Sequence, residues 1–330
     1  MYKFINSADT YVDDMLAGYV RAHPEVVRAG RQGRTLVRRA GMRPGRVGLA
    51  TGGGAGHLPL FLGYIGPGFV DTCAVGNVFE GPALGACIDA VKMADAGAGV
   101  LILFGNYGGD RMNFEMARKA VRSDLIETVL VNDDIASADT SERQKRRGVA
   151  GIIFAYKTAG AMAEAGAPLG DVADMARLTV SRTRTIGVGL KGCRLPSSTA
   201  PVFELPDGYI EMGIGIHGER GIRQTQLAGV DAVIDEMLSA LLQDVPAAST
   251  GRVALLINGL GATPLEEQYI AFRRAAEILE MEGFEVVMPL VGSYVTALEM
   301  AGLSISLCFL DNEVEPWLAA KASCPFWKVA

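Results

Sequence analysis

Arg46-Val-Gly-Leu-Ala-Thr-Gly-Gly-Gly-Ala-Gly-His57-Leu-Pro59 is the stretch on which the reading of this chain turns. Val47–Ala50 is an apolar run of strand length, and the glycines that follow end it before Pro59. Glycine beside a reactive side chain lets a small ligand approach the backbone, and it costs stability when that freedom goes unused. Read as a loop, the run exposes successive backbone N–H groups able to hold an anionic or hydroxylated ligand. Neither glycine register gives G-x-G-x-x-G, because position 57 is His and position 59 is Pro, which removes the dinucleotide fingerprint. No Gly-Lys-Ser/Thr follows, which removes the Walker A loop. Taken alone, the run could still be a tight turn with a chance histidine. Residues 47–70 carry no Asp, Glu, Lys or Arg, but eight glycines, Pro59 and Pro67 would leave backbone groups unpaired in lipid. The segment therefore reads as buried strand and binding loop, not as a membrane span.

Outward from this stretch, strand-length apolar runs alternate with helix-period segments, the pattern of an α/β fold. The strands predicted are 47–50, 100–104, 128–132, 186–190, 210–216, 253–257, 285–289 and 304–310. The helices predicted are 10–22, 82–96, 111–122, 149–165, 169–182, 227–242 and 264–282. Strand-like residues 185–190 follow a helix-rich stretch, so the expected organisation is two α/β domains, 1–185 with His57 and 186–330 with His217. A substrate cleft would lie between them, where small ligands usually bind.

Composition narrows the partners. With 330 residues, 49% hydrophobic and 21% charged, the chain can bury a full core. A net charge of −6, with no basic run longer than Lys145-Arg146-Arg147, argues against nucleic acid. Five cysteines without a Cys-x-x-Cys pair and three scattered histidines give no zinc spacing. The early Asp9, Asp13 and Asp14 and the lack of an apolar h-region speak against a signal peptide, and a reducing, cytoplasmic setting is expected.

Two further segments carry chemistry. Val100-Leu-Ile-Leu-Phe-Gly-Asn-Tyr-Gly-Gly-Asp110 again reads as strand, glycine loop and helix. There Asp110 is either an N-cap or a side chain aimed into a cleft, and capping is the reading favoured by position alone. If Ile210–Ile216 is a strand, alternation puts Ile210, Met212, Ile214 and Ile216 on one face, and Glu211, Gly213, Gly215 and His217 on the other. His217 would then project from a face emptied of side chains, as in a ligand pocket. His23, before Pro24, reads as structural. Thr263 and Pro264 fit N-cap and N1 positions. Asn132-Asp133-Asp134 could bind a cation, but without alternating oxygen ligands loop solvation is its expected role.

These segments, in this order, resemble the substrate-binding (K) subunit of dihydroxyacetone kinase. The resemblance runs through AGYVRAHP (17–24), GGGAGHLPLFLGYIG (52–66), NYGGDRMNFEMA (106–117), NDDIA (132–136), RRGVA (146–150), GIGIHGERG (213–221) and LGATPLE (260–266). It implies the K-subunit fold, a homodimer, no metal in this chain, and a short-chain ketose held covalently as a hemiaminal on His217. His57 would be the acid/base on the carbonyl oxygen or hydroxyl, and Asp110 would hydrogen-bond and help deprotonate the hydroxymethyl group. Gly54, Ala55 and Gly56 would contact substrate through their backbone. The family's nucleotide domain, with its clustered aspartates, magnesium and ATP or ADP, has no counterpart here. The resemblance thus implies a separate nucleotide-binding (L-type) subunit, exchanging ATP or recharged by a phosphotransferase relay. A non-catalytic ketose-binding coactivator of a transcriptional regulator is the alternative. The chain departs from the pattern at Leu58 (family Glu), Gly105 (family Lys, on the pocket wall) and Ala55 (family Ser). Gly105 and Leu58 together would reshape the site for a larger ketose such as erythrulose.

Overall fold

The computed structural model describes residues 3–247 and 249–330. After helix α1 (Tyr11–Ala22) come strands β1 (Val27–Ala29), β2 (Thr35–Arg38), β3 (Gly48–Ala55) and β4 (Thr72–Val78). Next are α2 (Leu84–Ala94), β5 (Val100–Gly105), α3 (Gly108–Val121) and β6 (Ile126–Val131). These strands form one sheet in the order β1-β2-β4-β3-β5-β6, in which β4, β3, β5 and β6 run parallel. Helices α4 (Ile152–Ala165) and α5 (Leu169–Ser181) follow, then β7 (Thr183–Lys191), β8 (Tyr209–Met212), β9 (Arg223–Gln226) and α6 (Val230–Leu242). The chain continues through β10 (Arg252–Gly259), α7 (Leu265–Met281), β11 (Glu285–Gly292), β12 (Ala301–Leu310) and α8 (Val314–Ala319) to the hairpin of β13 (Ala322–Ser323) and β14 (Lys328–Val329). The second sheet has the order β11-β10-β12-β7-β8-β9.

Alternation along the strands sorts the core into layers. In the first sheet Ala50, Ile102 and Phe104 face Ala90, Phe114 and Ala117 of α2 and α3. Leu49, Leu101 and Leu103 turn the other way, into a cluster that also holds residues of α4, α5 and α8. Ala254, Leu256 and Cys308 of the second sheet join that same cluster, while Leu255, Ile257 and Phe309 face α6 and α7. The middle helical layer is thus shared by both sheets. Nearly the whole surface of α4 is buried, as expected of a helix apolar all round. Burying apolar area contributes roughly 25 cal/mol per Å², so this shared layer ties the two halves together.

All seven predicted helices and the eight predicted strands are present, with shifted ends. Strands β1, β2, β4, β9, β13 and β14 and helix α8 escaped prediction. β4 reads TCAVGNV, with its first five residues buried, so it has no polar/apolar alternation to detect. The predicted strand 210–216 is cut short at Met212, because Gly213 takes φ +81° and turns the chain. Thr263 is not an N-cap: Pro264 holds that place, and the Thr263 hydroxyl bonds the backbone of Gly302. All five cysteines are free and buried. Among the described residues no helix is long and apolar enough to cross a membrane.

Candidate active site at the strand ends

Parallel strands β4, β3 and β5 end on one side of their sheet, and the residues just beyond their carboxyl ends are Phe79, Gly56-His57 and Asn106–Asp110. Crevices at such ends are the usual ligand sites of parallel sheets. The glycine run is not the open loop expected. β3 continues through it, pairing Gly52 with Ala74, Gly53 with Val75 and Gly54 with Gly76. Its glycines serve close packing. A Cβ on Gly53 would fall 2.1 Å from the Phe61 ring, and one on Gly54 would fall 2.8 Å from the Glu80 nitrogen. That space lets residues 79–80 fold over the strand end, where the Phe79 N–H bonds the Ala55 carbonyl. Phe79, in a left-handed conformation at φ 62°, stacks its ring on His57 at 4.9 Å and 18°. The Gly56 carbonyl accepts a bond from the Leu298 N–H.

His217 arrives from the other half, on the turn after β8 rather than on a strand. Gly215 is not an empty pocket wall. A Cβ there would lie 2.0 Å from Glu219 Oε2 and 2.7 Å from a guanidinium nitrogen of Arg147. The vacant side of that residue is filled by the carboxylate that holds His217: Glu219 Oε1 accepts from His217 Nδ1 at 2.9 Å, and Oε2 accepts the His217 backbone N–H at 3.0 Å. Burial opposes charge on Glu219, but the hydrogen bond from His217 and the nearby Arg147 hold its carboxyl down at about 2.

The sequence-selected residues meet here. The His57 and His217 rings are 4.8 Å apart and nearly perpendicular, and Tyr107 contacts His217 edge-on at 4.7 Å. His57 is 1% exposed, and its Nδ1 lies 2.7 Å from the Thr296 carbonyl. A carbonyl only accepts, so Nδ1 carries the proton and Nε2 carries a lone pair. Burial, with His217 beside it, pushes His57 down to about 3, which keeps the ring neutral. Burial lifts the Asp110 carboxyl to about 6 against the pull of His217. Burial also raises the Tyr107 hydroxyl well above its ordinary value, leaving it a donor. Among the described residues, His57 Nε2, the Tyr107 hydroxyl and Asp110 Oδ1 are buried without a hydrogen-bond partner. Unpartnered buried polar atoms are costly. Three of them grouped around one imidazole suit a small ligand rich in carbonyl and hydroxyl groups.

Asp110 is not the cap of α3. The helix starts at Gly108 with Tyr107 as N-cap, so Asp110 stands in the first turn rather than at the cap position. Asp133 and Asp134 are not loop solvation either. Both are buried: Asp133 accepts from the backbone of Val149 and Gly151 and from the Thr185 hydroxyl, and Asp134 pairs with Arg147 at 2.8 Å. Glu219, Tyr107, Phe79, Arg147 and Thr296 were missed as site residues. Tyr107, Arg147 and Glu219 lie within stretches that carry the resemblance (106–117, 146–150 and 213–221), so a signal was there for them, whereas Phe79 and Thr296 left none.

Of the departures, Gly105 ends β5, and a Cβ there would lie 3.3 Å from both the Tyr107 ring and the Gly148 carbonyl. Leu58 lines a cleft of about 350 Å³ along Lys3, Phe4 and Ile5, which Gly56 and Thr296 also line. Among the described residues no group of three or more His, Cys, Asp or Glu side chains is placed to hold a metal.

Residues 17–326 match the Dak1 domain. The chain is 40% identical over 332 residues to a PTS-dependent dihydroxyacetone kinase 2, dihydroxyacetone-binding subunit DhaK, of Listeria innocua, covering all of both chains. It is 39% identical over 330 residues to a D-erythrulose kinase of Mycolicibacterium smegmatis, covering 99% of this chain and 57% of that one. The native dihydroxyacetone kinase of C. freundii superposes with a TM-score of 0.90 at 33% identity, over 99% of this chain and 60% of the other. A dihydroxyacetone kinase operon co-activator, Dha-DhaQ, superposes with a TM-score of 0.88 at 27% identity, over 96% and 98%. The chain thus spans the whole of the Listeria subunit but less than two thirds of the erythrulose kinase and of the C. freundii chain.

Proposed function

The chain belongs to the Dak1 domain family, and from that premise we propose that it is the ketose-binding subunit of a dihydroxyacetone-type kinase. It captures dihydroxyacetone or a tetrulose such as erythrulose on His217, for phosphorylation by a separate nucleotide-binding subunit that carries ATP or ADP with magnesium. One observation supports this above the others: His57 Nε2, the Tyr107 hydroxyl and Asp110 Oδ1 gather, unpartnered, around His217, whose Nδ1 is already committed to Glu219.

In this reading the His217 Nε2 lone pair adds to the ketose carbonyl carbon, and the C=O π pair moves onto oxygen. The Glu219 carboxylate stabilises the positive charge that develops on the ring. The Nδ1 proton is released to water and the alkoxide takes one proton from water, so the net change moves one proton from Nδ1 to oxygen and leaves a neutral substituted imidazole. His57 cannot donate in its neutral state, so it accepts from the hydroxyl just formed and works as the base side of the pair. Asp110, with a carboxyl at about 6, is ionised near neutral pH and can draw the proton from the terminal hydroxyl as phosphate is transferred. Gly54, Ala55 and Gly56 flank the captured ketose at the end of β3. The space at Gly105 is closed by the Tyr107 ring and the Gly148 carbonyl, so the absent side chain there opens no room for a fourth carbon, and the choice between triose and tetrulose is left to the binding test. Five buried free thiols suit a reducing, cytoplasmic setting.

The test is a crystal soak with dihydroxyacetone and with erythrulose, paired with calorimetric titrations of the protein and of His217→Ala. Density continuous from His217 Nε2, together with loss of binding in the variant, is the expected result. No adduct with either ketose would overturn the reading. The likeness to the co-activator keeps a second reading in view, a ketose-binding coactivator of a transcriptional regulator. Capture of ketose with no phosphorylation by any nucleotide-binding partner subunit would favour it.

A further inference from the structure

Behind His217 the two halves of the molecule meet in a line of four charged or titratable groups. Asp134, at the end of β6, pairs with Arg147 through Nη2 at 2.8 Å and Nε at 2.9 Å. Another Arg147 nitrogen, Nη1, reaches toward Glu219 Oε2 at 3.8 Å, and Nη2 donates to the Gly213 carbonyl at 3.3 Å. Glu219 in turn holds His217 Nδ1. The guanidinium is fixed at several points: its own backbone N–H bonds Ser137 Oγ, and its carbonyl accepts from the Asp134 N–H. Gly215 leaves the gap in which guanidinium and carboxylate approach each other, since a Cβ there would meet both.

We propose that Arg147, braced by Asp134, is a positioning residue for ketose capture: it orients Glu219 and keeps it ionised, and so fixes the proton of His217 on Nδ1 with the Nε2 lone pair facing the ligand. This inference rests on the function proposed above. A fork-shaped guanidinium is the side chain suited to the task, because it can hold Asp134, the Gly213 carbonyl and the Glu219 carboxylate in one plane. The other groups facing Glu219 are Tyr107, whose hydroxyl stays protonated, and His57, which stays neutral. Arg147 is therefore the fixed positive charge opposite this carboxylate. The arrangement also makes capture depend on docking of the two halves. The Asp134–Arg147 pair belongs to the segment between β6 and α4, while Glu219 and His217 belong to the turn after β8.

The experiment compares Arg147→Met, Arg147→Lys and Gly215→Ala with the unaltered protein. Histidine-selective ¹⁵N NMR of the ligand-free proteins reads which ring nitrogen of His217 carries the proton. The unaltered protein should show the Nδ1–H tautomer, and Arg147→Met a mixture of tautomers, with Arg147→Lys in between. Ketose affinity should fall about tenfold to a hundredfold in Arg147→Met and Gly215→Ala, the scale expected when a reacting group is misplaced by about an ångström. The acid limb of the capture profile should also move to higher pH in Arg147→Met, because Glu219 without its guanidinium protonates sooner as pH falls. A pure Nδ1–H tautomer and unchanged affinity in a folded Arg147→Met would overturn the proposal. Failure of the unaltered protein to capture either ketose would overturn the proposed function instead, and the tautomer measurement would still decide the role of Arg147.

Discussion

The end of β3 and the turn after β8 each present a histidine, and the two are held in opposite ways. His57 is sealed under Phe79 and gives its Nδ1 proton to a neutral acceptor, the Thr296 carbonyl. His217 is more open, with 22% of its side chain exposed, and gives its Nδ1 proton to a charged acceptor, Glu219. Both rings present Nε2, but only a carboxylate can offset the positive charge that develops on the ring as Nε2 forms a bond. One histidine is thereby confined to hydrogen bonding and base work, and the other is equipped to be a nucleophile. Each is also held across the halves: His57 by Thr296 of the later half, His217 through Arg147 of the earlier one.

Glu219→Gln strikes at this difference and should have the largest effect. The glutamine oxygen can still accept from Nδ1, which keeps the ring oriented, but it carries no negative charge to offset the positive charge that develops on the ring. Ketose capture followed by rapid mixing should slow by about 10²–10³-fold, the range for loss of one group that stabilises developing charge. A rate within a few-fold of the unaltered protein would mean that a neutral acceptor serves His217 as well as a charged one, and the contrast between the two histidines would carry no mechanism.

How much of this was legible follows the same division. The helices and most strands show in hydrophobic periodicity, and His57, His217 and Asp110 were selected from the glycines around them; the structure brings all three together. The stated reasons were less sound. The glycines at 52–54 lie in a strand ladder, and the space at Gly215 belongs to Glu219 rather than to a ligand. Sequence shows that room is needed beside a residue, not what fills it. Phe79 and Thr296 left no trace because they reach the site from distant parts of the chain, and β4 because its buried core run does not alternate.

The sealed histidine has a pH signature of its own. Its ordinary value near 6.5 applies to the unfolded chain, while the folded ring sits at about 3. The unfolded state therefore binds a proton that the folded state refuses, and stability present above pH 6.5 is lost as pH falls toward 3. By pH 5 the loss from this one group is about 2 kcal/mol. His57→Asn, whose amide can still donate to the Thr296 carbonyl, should show that much less acid destabilisation in denaturant titrations at pH 5 against pH 7. Equal acid sensitivity in the two proteins would show that His57 is not sealed, and the comparison would lose its first member.

Asp110 tests the other side of the cluster, where the field of His217 is felt, and its sign is reversed. The folded carboxyl sits at about 6 against an ordinary 3.8, so the folded state holds a proton that the unfolded state has released between those values. Stability from this group is present below pH 3.8 and lost as pH rises through 6. Asp110→Asn removes the buried charge and should stabilise the protein by about 1–2 kcal/mol at pH 8, a figure discounted for partial exposure, with almost no gain at pH 4. The same variant should lose phosphoryl transfer while still capturing ketose, because capture belongs to His217 and the terminal hydroxyl to Asp110. Thermal melts at the two pH values check the first outcome, and titration with dihydroxyacetone checks the second. A variant that is less stable at pH 8 would mean that Asp110 has a partner in the folded protein, and its unpartnered oxygen would no longer mark a place for substrate.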